Sequence, residues 1–185
     1  MTHTTNTRTK KPEDRESPLF PIVTTFGLGH MKPFPGTWGS VPTAALAGLM
    51  ILTGFGPTDS PVIYHTVLAC VLVGFSWACI TLGKAAEQKF GKKDPSQVVA
   101  DETAGQAIPL MFLPVHLVPT MTGKLLFVLV AFVAFRIFDI IKLPPAKQSQ
   151  RAGGGVGILV DDIIAGIQAL VFLHLIVLVW QMQTL

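Results

Sequence analysis

The stretch LLFVLVAFVAFRIFDIIK, residues 125–142, decides how the chain is read. From Leu125 to Phe135 it carries no charge. A continuous apolar run of that length does not alternate and is too long for a strand, so it reads as a helix. Arg136, Asp139 and Lys142 then follow at a spacing of three. Each step of three advances about 300° around a helix, so the three side chains share about a third of its circumference. Snorkelling to a membrane interface with an internal Arg–Asp pair would account for Lys142. It accounts less well for Arg136, a turn or more deeper, because ionisable residues at membrane depth point to function. An arginine there could grip a phosphate through two parallel hydrogen bonds.

The composition agrees with a segment of this kind. The 185 residues are 50% hydrophobic and 14% charged, and the mean hydropathy is +0.54. A soluble domain is nearer a quarter charged, so the chain reads as membrane-embedded. No basic patch is interleaved with aromatics, and a nucleic-acid partner is not expected. Cys70 and Cys79 lie in an apolar run without a CxxC pair, which suits buried small hydrophobes rather than zinc or a disulfide. The start, MTHTTNTRTKKPEDRESP, is polar and mixed in charge, unlike a signal peptide. It is expected to be a disordered tail over residues 1–20, ahead of a single domain over 21–185.

Four further segments read as candidates for the bilayer, at about 41–56, 62–83, 104–120 and 163–181. A helix needs about 20 apolar residues to span. The first is marginal in length, and the third is broken by Pro109, Pro114 and Pro119. Open sheets cannot stand in lipid with unpaired edges. The expected fold is therefore all-α, a membrane-embedded bundle of about four to five apolar helices. Lys and Arg residues gather on one side: Lys32 and the tail before 41–56, Lys84, Lys89, Lys92 and Lys93 after 62–83, and Lys142, Lys147 and Arg151 at and after the end of 125–142. The other side holds Lys124 alone, so the populated side is expected to be cytoplasmic.

This scheme gathers the polar loops at the cytoplasmic face. Asp101 and Glu102 open the segment at 104–120, and Asp161 and Asp162 open the one at 163–181. Acidic residues at a helix N-terminus complement the macrodipole, which would suffice for either pair alone. With Asp139 they make five carboxylates near one interface, which repel one another unless a cation neutralises them. Mg²⁺ takes oxygen ligands and keeps several waters, so it suits such a group. The stretch GLGHMKPFPGTWGS, 27–40, reads as a rigid irregular loop. Its glycine backbone could present N–H groups to an anion, with His30, Lys32, Thr37 and Ser40 adding donors. The run GGGVG, 153–157, is either a flexible linker or a second backbone cradle. His116 and His174 read as hydrogen-bonded interior residues, His65 as structural, and Trp180 as part of an interfacial belt.

Three stretches together resemble a known family. GLGHMKPFPGTWGSVPTAAL, DPSQVVADETAGQ and FRIFDIIKLPPAKQSQRAGGGVGILVDDIIAGI are similar, in order, to the motifs of phosphatidylglycerophosphatase A. The resemblance runs from about Thr24 to about Gln168. One departure is Lys142-Leu143-Pro144-Pro145, where the family reads K-P-W-P. The resemblance implies an all-helical Mg²⁺-dependent phosphatase of the bacterial inner membrane. It implies phosphatidylglycerophosphate as substrate, a phospholipid in the bilayer, with phosphatidylglycerol and inorganic phosphate as products. On that footing Asp101, Glu102, Asp139, Asp161 and Asp162 are expected to hold metal. Lys32, Arg136 and Lys142 are expected to stabilise charge, with Asp139 and Asp162 also catalytic. His30, Thr37, Ser40 and the backbone of Gly153, Gly154 and Gly155 are expected to bind substrate.

The rival reading is a small transporter or channel, since intramembrane charges and a proline-broken helix are features transporters use. The charges, however, cluster at one end of the segments rather than at their middles. A lipid head-group transferase lacks its spaced aspartate frame here. A purely structural subunit has no need of five gathered carboxylates.

Overall fold

The computed structural model describes residues 20–144 and 154–183, and among them there are six α-helices, two 3-10 turns and no strand. The helices are α1 (Phe20–Val23), α2 (Pro35–Leu52), α3 (Pro61–Phe90), α4 (Ala100–Met111), α5 (Met121–Ile141) and α6 (Gly154–Gln183). The tail expected over 1–20, apart from Phe20, lies outside the described residues, as do Pro145, Lys147, Arg151 and Gly153.

Local signals explain the helix ends. Pro35 and Pro61 occupy first turns, where a missing N–H costs nothing. The α3 helix outruns its apolar segment, because Lys84 to Phe90 contains good helix formers; it stops at Gly91, whose φ of 64° caps it. The Thr120 side chain caps α5 by accepting from the Gly123 N–H at 3.1 Å. At the other end of α5, Lys142 closes the helix in a left-handed conformation, φ 50°. A non-glycine residue rarely sits there, so this backbone conformation is held by the surrounding structure.

The helix α4 lies at the centre, packed by α2, α3, α5 and α6. Between Thr103 and Leu110 every residue is buried. This corrects the expectation of a third span over 104–120. The helix ends at Met111, and Pro114 precedes a 3-10 turn, Val115–Leu117. Twelve residues rise only about 18 Å, short of the roughly 30 Å hydrocarbon layer. Pro109 does not break α4 as expected; the helix runs through it. Having no N–H, Pro109 leaves the carbonyl of Gly105 outside the helix ladder. The α6 backbone closes on that oxygen, so that a Cβ on Gly166 would stand 2.5 Å from it.

Four other expectations change. Only the first half of 27–40 is irregular, with a 3-10 turn at Leu28–His30; PGTWGS is already α2. The GGGVG run is neither linker nor loop from Gly154 onward, but the first turn of α6. Asp161 and Asp162 therefore lie two turns inside that helix instead of opening it. His116 and His174 are exposed rather than interior.

Among the described residues, two helices, α3 and α6, are long and apolar enough to cross a membrane. Most of the apolar surface of each faces outward, including Val62, Val73, Trp77, Val171, Leu175, Val179 and Trp180. Exposed apolar surface on this scale marks contact with another apolar phase.

Candidate active site

The first turn of α4 is braced from two sides. The Thr103 hydroxyl lies 2.8 Å from the carbonyls of Gly39 and Val99 and 2.7 Å from the Thr25 hydroxyl. Thr43 donates to the Thr103 carbonyl at 2.9 Å. These bonds tie α4 to α2 and to the segment after α1. They fix Asp101 and Glu102, which point into the bundle at the same end.

Asp162 of α6 meets them there. Ligand oxygens of Asp101, Glu102 and Asp162 all lie within 4.8 Å of one another. Asp101 is 6% exposed and Asp162 2%. Asp101 Oδ1, Glu102 Oε2 and Asp162 Oδ2 are enclosed and have no hydrogen-bond partner among the described residues. Burial pushes the Glu102 carboxyl up to about 7. Burial first, and the neighbouring Glu102 second, hold Asp101 well above the usual carboxylate range. Ionised carboxylates buried without partners are costly, and their mutual repulsion adds to that cost. A divalent cation would relieve both. An all-oxygen set with unsatisfied lone pairs fits Mg²⁺ chemically.

The other two acidic residues are answered by bases. Asp139 pairs with Arg136 at 2.8 Å on α5, both side chains nearly enclosed. Asp161 pairs with Lys142 across α5 and α6. Arg136 also donates to Ser40 Oγ at 3.4 Å, and Ser40 donates to the Gly36 carbonyl at 3.0 Å. Gly36, in the first turn of α2, closes the site. A Cβ there would stand 2.3 Å from Glu102 Oε1 and 2.8 Å from an Arg136 nitrogen. The positive end of α2 thus abuts the carboxylates and the guanidinium, an arrangement suited to an anion.

The remaining expected residues are placed less centrally. Thr37 is half-buried in the first turn of α2, and Lys32 is exposed in the loop before it. The His30 ring packs on Phe90 with centroids 6.1 Å apart. Gly154 opens α6 with φ 71°. Gly155 is buried where α3 crosses α6, and a Cβ on it would stand 1.9 Å from the Cys79 carbonyl oxygen. That is a packing role the sequence reading did not offer.

Two residues escaped the sequence reading. One is Gly36, whose signal was its place beside Pro35 at a helix start. The other is Gln106, fully buried, with neither Nε2 nor Oε1 partnered among the described residues. It lies one turn beyond Glu102, and that spacing in an apolar helix was the available signal.

The chain is similar to known proteins over most of its length. A family model described as phosphatidylglycerophosphatase A matches residues 21–177. A Bacteroides thetaiotaomicron protein that carries the provisional name phosphatidylinositol-3-phosphatase is 34% identical over 152 residues, 82% of this chain and 89% of the relative. A phosphatidylglycerophosphatase A of Haemophilus influenzae is 29% identical over 160 residues, 84% of this chain and 86% of the relative. One of Escherichia coli is 33% identical over 152 residues, 82% and 78% of the two chains. No solved structure gives a significant match.

Proposed function

The chain belongs to the phosphatidylglycerophosphatase A family, and from that membership we propose that it hydrolyses phosphatidylglycerophosphate to phosphatidylglycerol and inorganic phosphate, with Mg²⁺, at a bacterial inner membrane. The observation that carries the reading is the meeting of Asp101, Glu102 and Asp162, each with one enclosed oxygen that has no hydrogen-bond partner among the described residues, beside Arg136 and the start of α2.

Those three carboxylates would hold the cation. Mg²⁺ bound there supplies charge neutralisation at the phosphate and a more acidic water. Arg136, oriented by Asp139 and Ser40, donates to non-bridging oxygens as charge builds on them. Lys142, held by Asp161, adds a second positive group at the same end of the bundle. The N-terminus of α2, with Thr37, faces the phosphate with its dipole. Lys32, His30 and the glycines Gly153 and Gly154 stay as proposed contacts to the head group. In the reaction a bond forms between phosphorus and a water oxygen, and the bond from phosphorus to the glycerol oxygen breaks. A carboxylate, Asp139 or Asp162, takes a proton from the water, and the departing oxygen takes one up.

The lipid stays in the bilayer in this scheme, with α3 and α6 spanning and the carboxylate end facing the cytoplasm. The test is phosphate release by the purified protein in detergent micelles, over a panel of lipid phosphomonoesters that includes phosphatidylinositol-3-phosphate. That second lipid belongs in the panel because of the Bacteroides relative's name. Phosphatidylglycerophosphate should be cleaved fastest, and Asp139→Asn should lose about 100-fold or more. No release from any lipid, or near-normal release by the variant, would refute the assignment.

A further inference from the structure

Apolar grooves lie on the outer surface of the described residues, and a pair of them bears on the lipid. The larger, about 530 Å³, lies along α6 between Phe112 and Leu178. Its nearest α6 residue, Leu170, is about 12 Å along the helix from Asp162. The smaller, about 250 Å³, is a trough between α2 and α5, walled by Val41, Ala44, Ala45, Leu125, Leu129 and Phe132. Its position distinguishes it. Val41 directly follows Ser40, which contacts Arg136, and Phe132 lies one turn before Arg136. Both walls are thus continuations of the two helices that hold the guanidinium.

We propose that this trough seats an acyl chain of the lipid whose phosphate lies at Arg136, an inference that rests on the function proposed above. The residues that line the trough are all apolar, and its α2 and α5 walls lead on to Ser40 and Arg136. It runs about 10 Å along α5, from Leu125 to Phe132. Ala44 and Ala45 on α2 leave the space, and Leu129 and Val41 are exposed at its rim. A ligand with a phosphate at one end and a hydrocarbon tail at the other matches this gradient. A soluble phosphomonoester has nothing to place there. The larger groove has the volume, but on α6 its lining begins only at Leu170, two turns past Asp162.

The test compares long-chain phosphatidylglycerophosphate with a short-chain, micelle-free form. Ala45→Trp fills the trough. It should raise the KM for the long-chain lipid about tenfold relative to the short-chain one. Leu175→Trp, in the α6 groove, should leave that ratio unchanged. An unmoved ratio in Ala45→Trp, or an equal shift in Leu175→Trp, would overturn the proposal. Should Ala45→Trp fail to fold, Phe132→Ala removes one wall and should shift the same ratio; no shift there overturns it equally. If the native protein cleaves neither lipid, the proposed function fails instead. The trough is then judged by cross-linking with phosphatidic acid carrying a photoreactive acyl chain. Labelling of α2 and α5 beside the trough supports it, and labelling confined to α6 sinks it.

Discussion

Asp101, Glu102 and Asp162 stand within one small enclosure while Asp139 and Asp161 are each tied to a base. All five stood out in the sequence because charges are scarce in so apolar a chain. That a base stands beside Asp139 and Asp161 and none among the described residues is paired with the other three was not legible there, because the groups come from α4, α5 and α6 and meet only in the folded bundle. Gly36 was missed for the same reason: nothing in PGT announces that Glu102 and Arg136 press on that backbone. Its role is open to test. Gly36→Ala would put a methyl where those side chains stand, and a displacement of about 1 Å can cost about 100-fold in rate. The variant should fold and lose activity on that scale, measured as kcat for phosphate release. An unchanged kcat would show that the close approach is incidental.

At the scale of elements, the apolar runs were legible, and α2, α3, α5 and α6 all contain one. What the runs did not disclose is that α4 would be the enclosed hub. A short stretch such as AGQAIPLMFLP looks alike whether lipid or other helices surround it, and periodicity cannot separate the two. Glycine use was also ambiguous. GGGVG has the composition of a linker, but Gly155 is a contact point where α3 and α6 come together through backbone. Gly155→Ala would force Cβ into the Cys79 carbonyl. Overpacking of that kind costs about 1–3 kcal/mol. Thermal unfolding in detergent should show a lowered midpoint, and an unchanged midpoint would mean that the crossing is looser than the structure has it.

The molecule as a whole has two polar ends. One carries the carboxylates, Arg136 and Lys142. At the other, Lys124 donates to Thr58 at 3.0 Å and pairs with Asp59 at 3.7 Å. With α3 and α6 spanning, these ends should face opposite sides of the membrane, the carboxylate end inward. In cells, a membrane-impermeant thiol reagent should label cysteine placed at Lys124 directly. Cysteine placed at Lys93 should react only after permeabilisation. Labelling of both from outside would reject this orientation. The function proposed above places a divalent cation against a lipid phosphate at one end of the bundle. Its most direct test is phosphate release from phosphatidylglycerophosphate by protein stripped with a chelator and then titrated with Mg²⁺. Turnover should vanish on stripping and return with Mg²⁺ in the native chain, with no comparable return in Asp162→Asn; full turnover by the stripped protein would contradict the account.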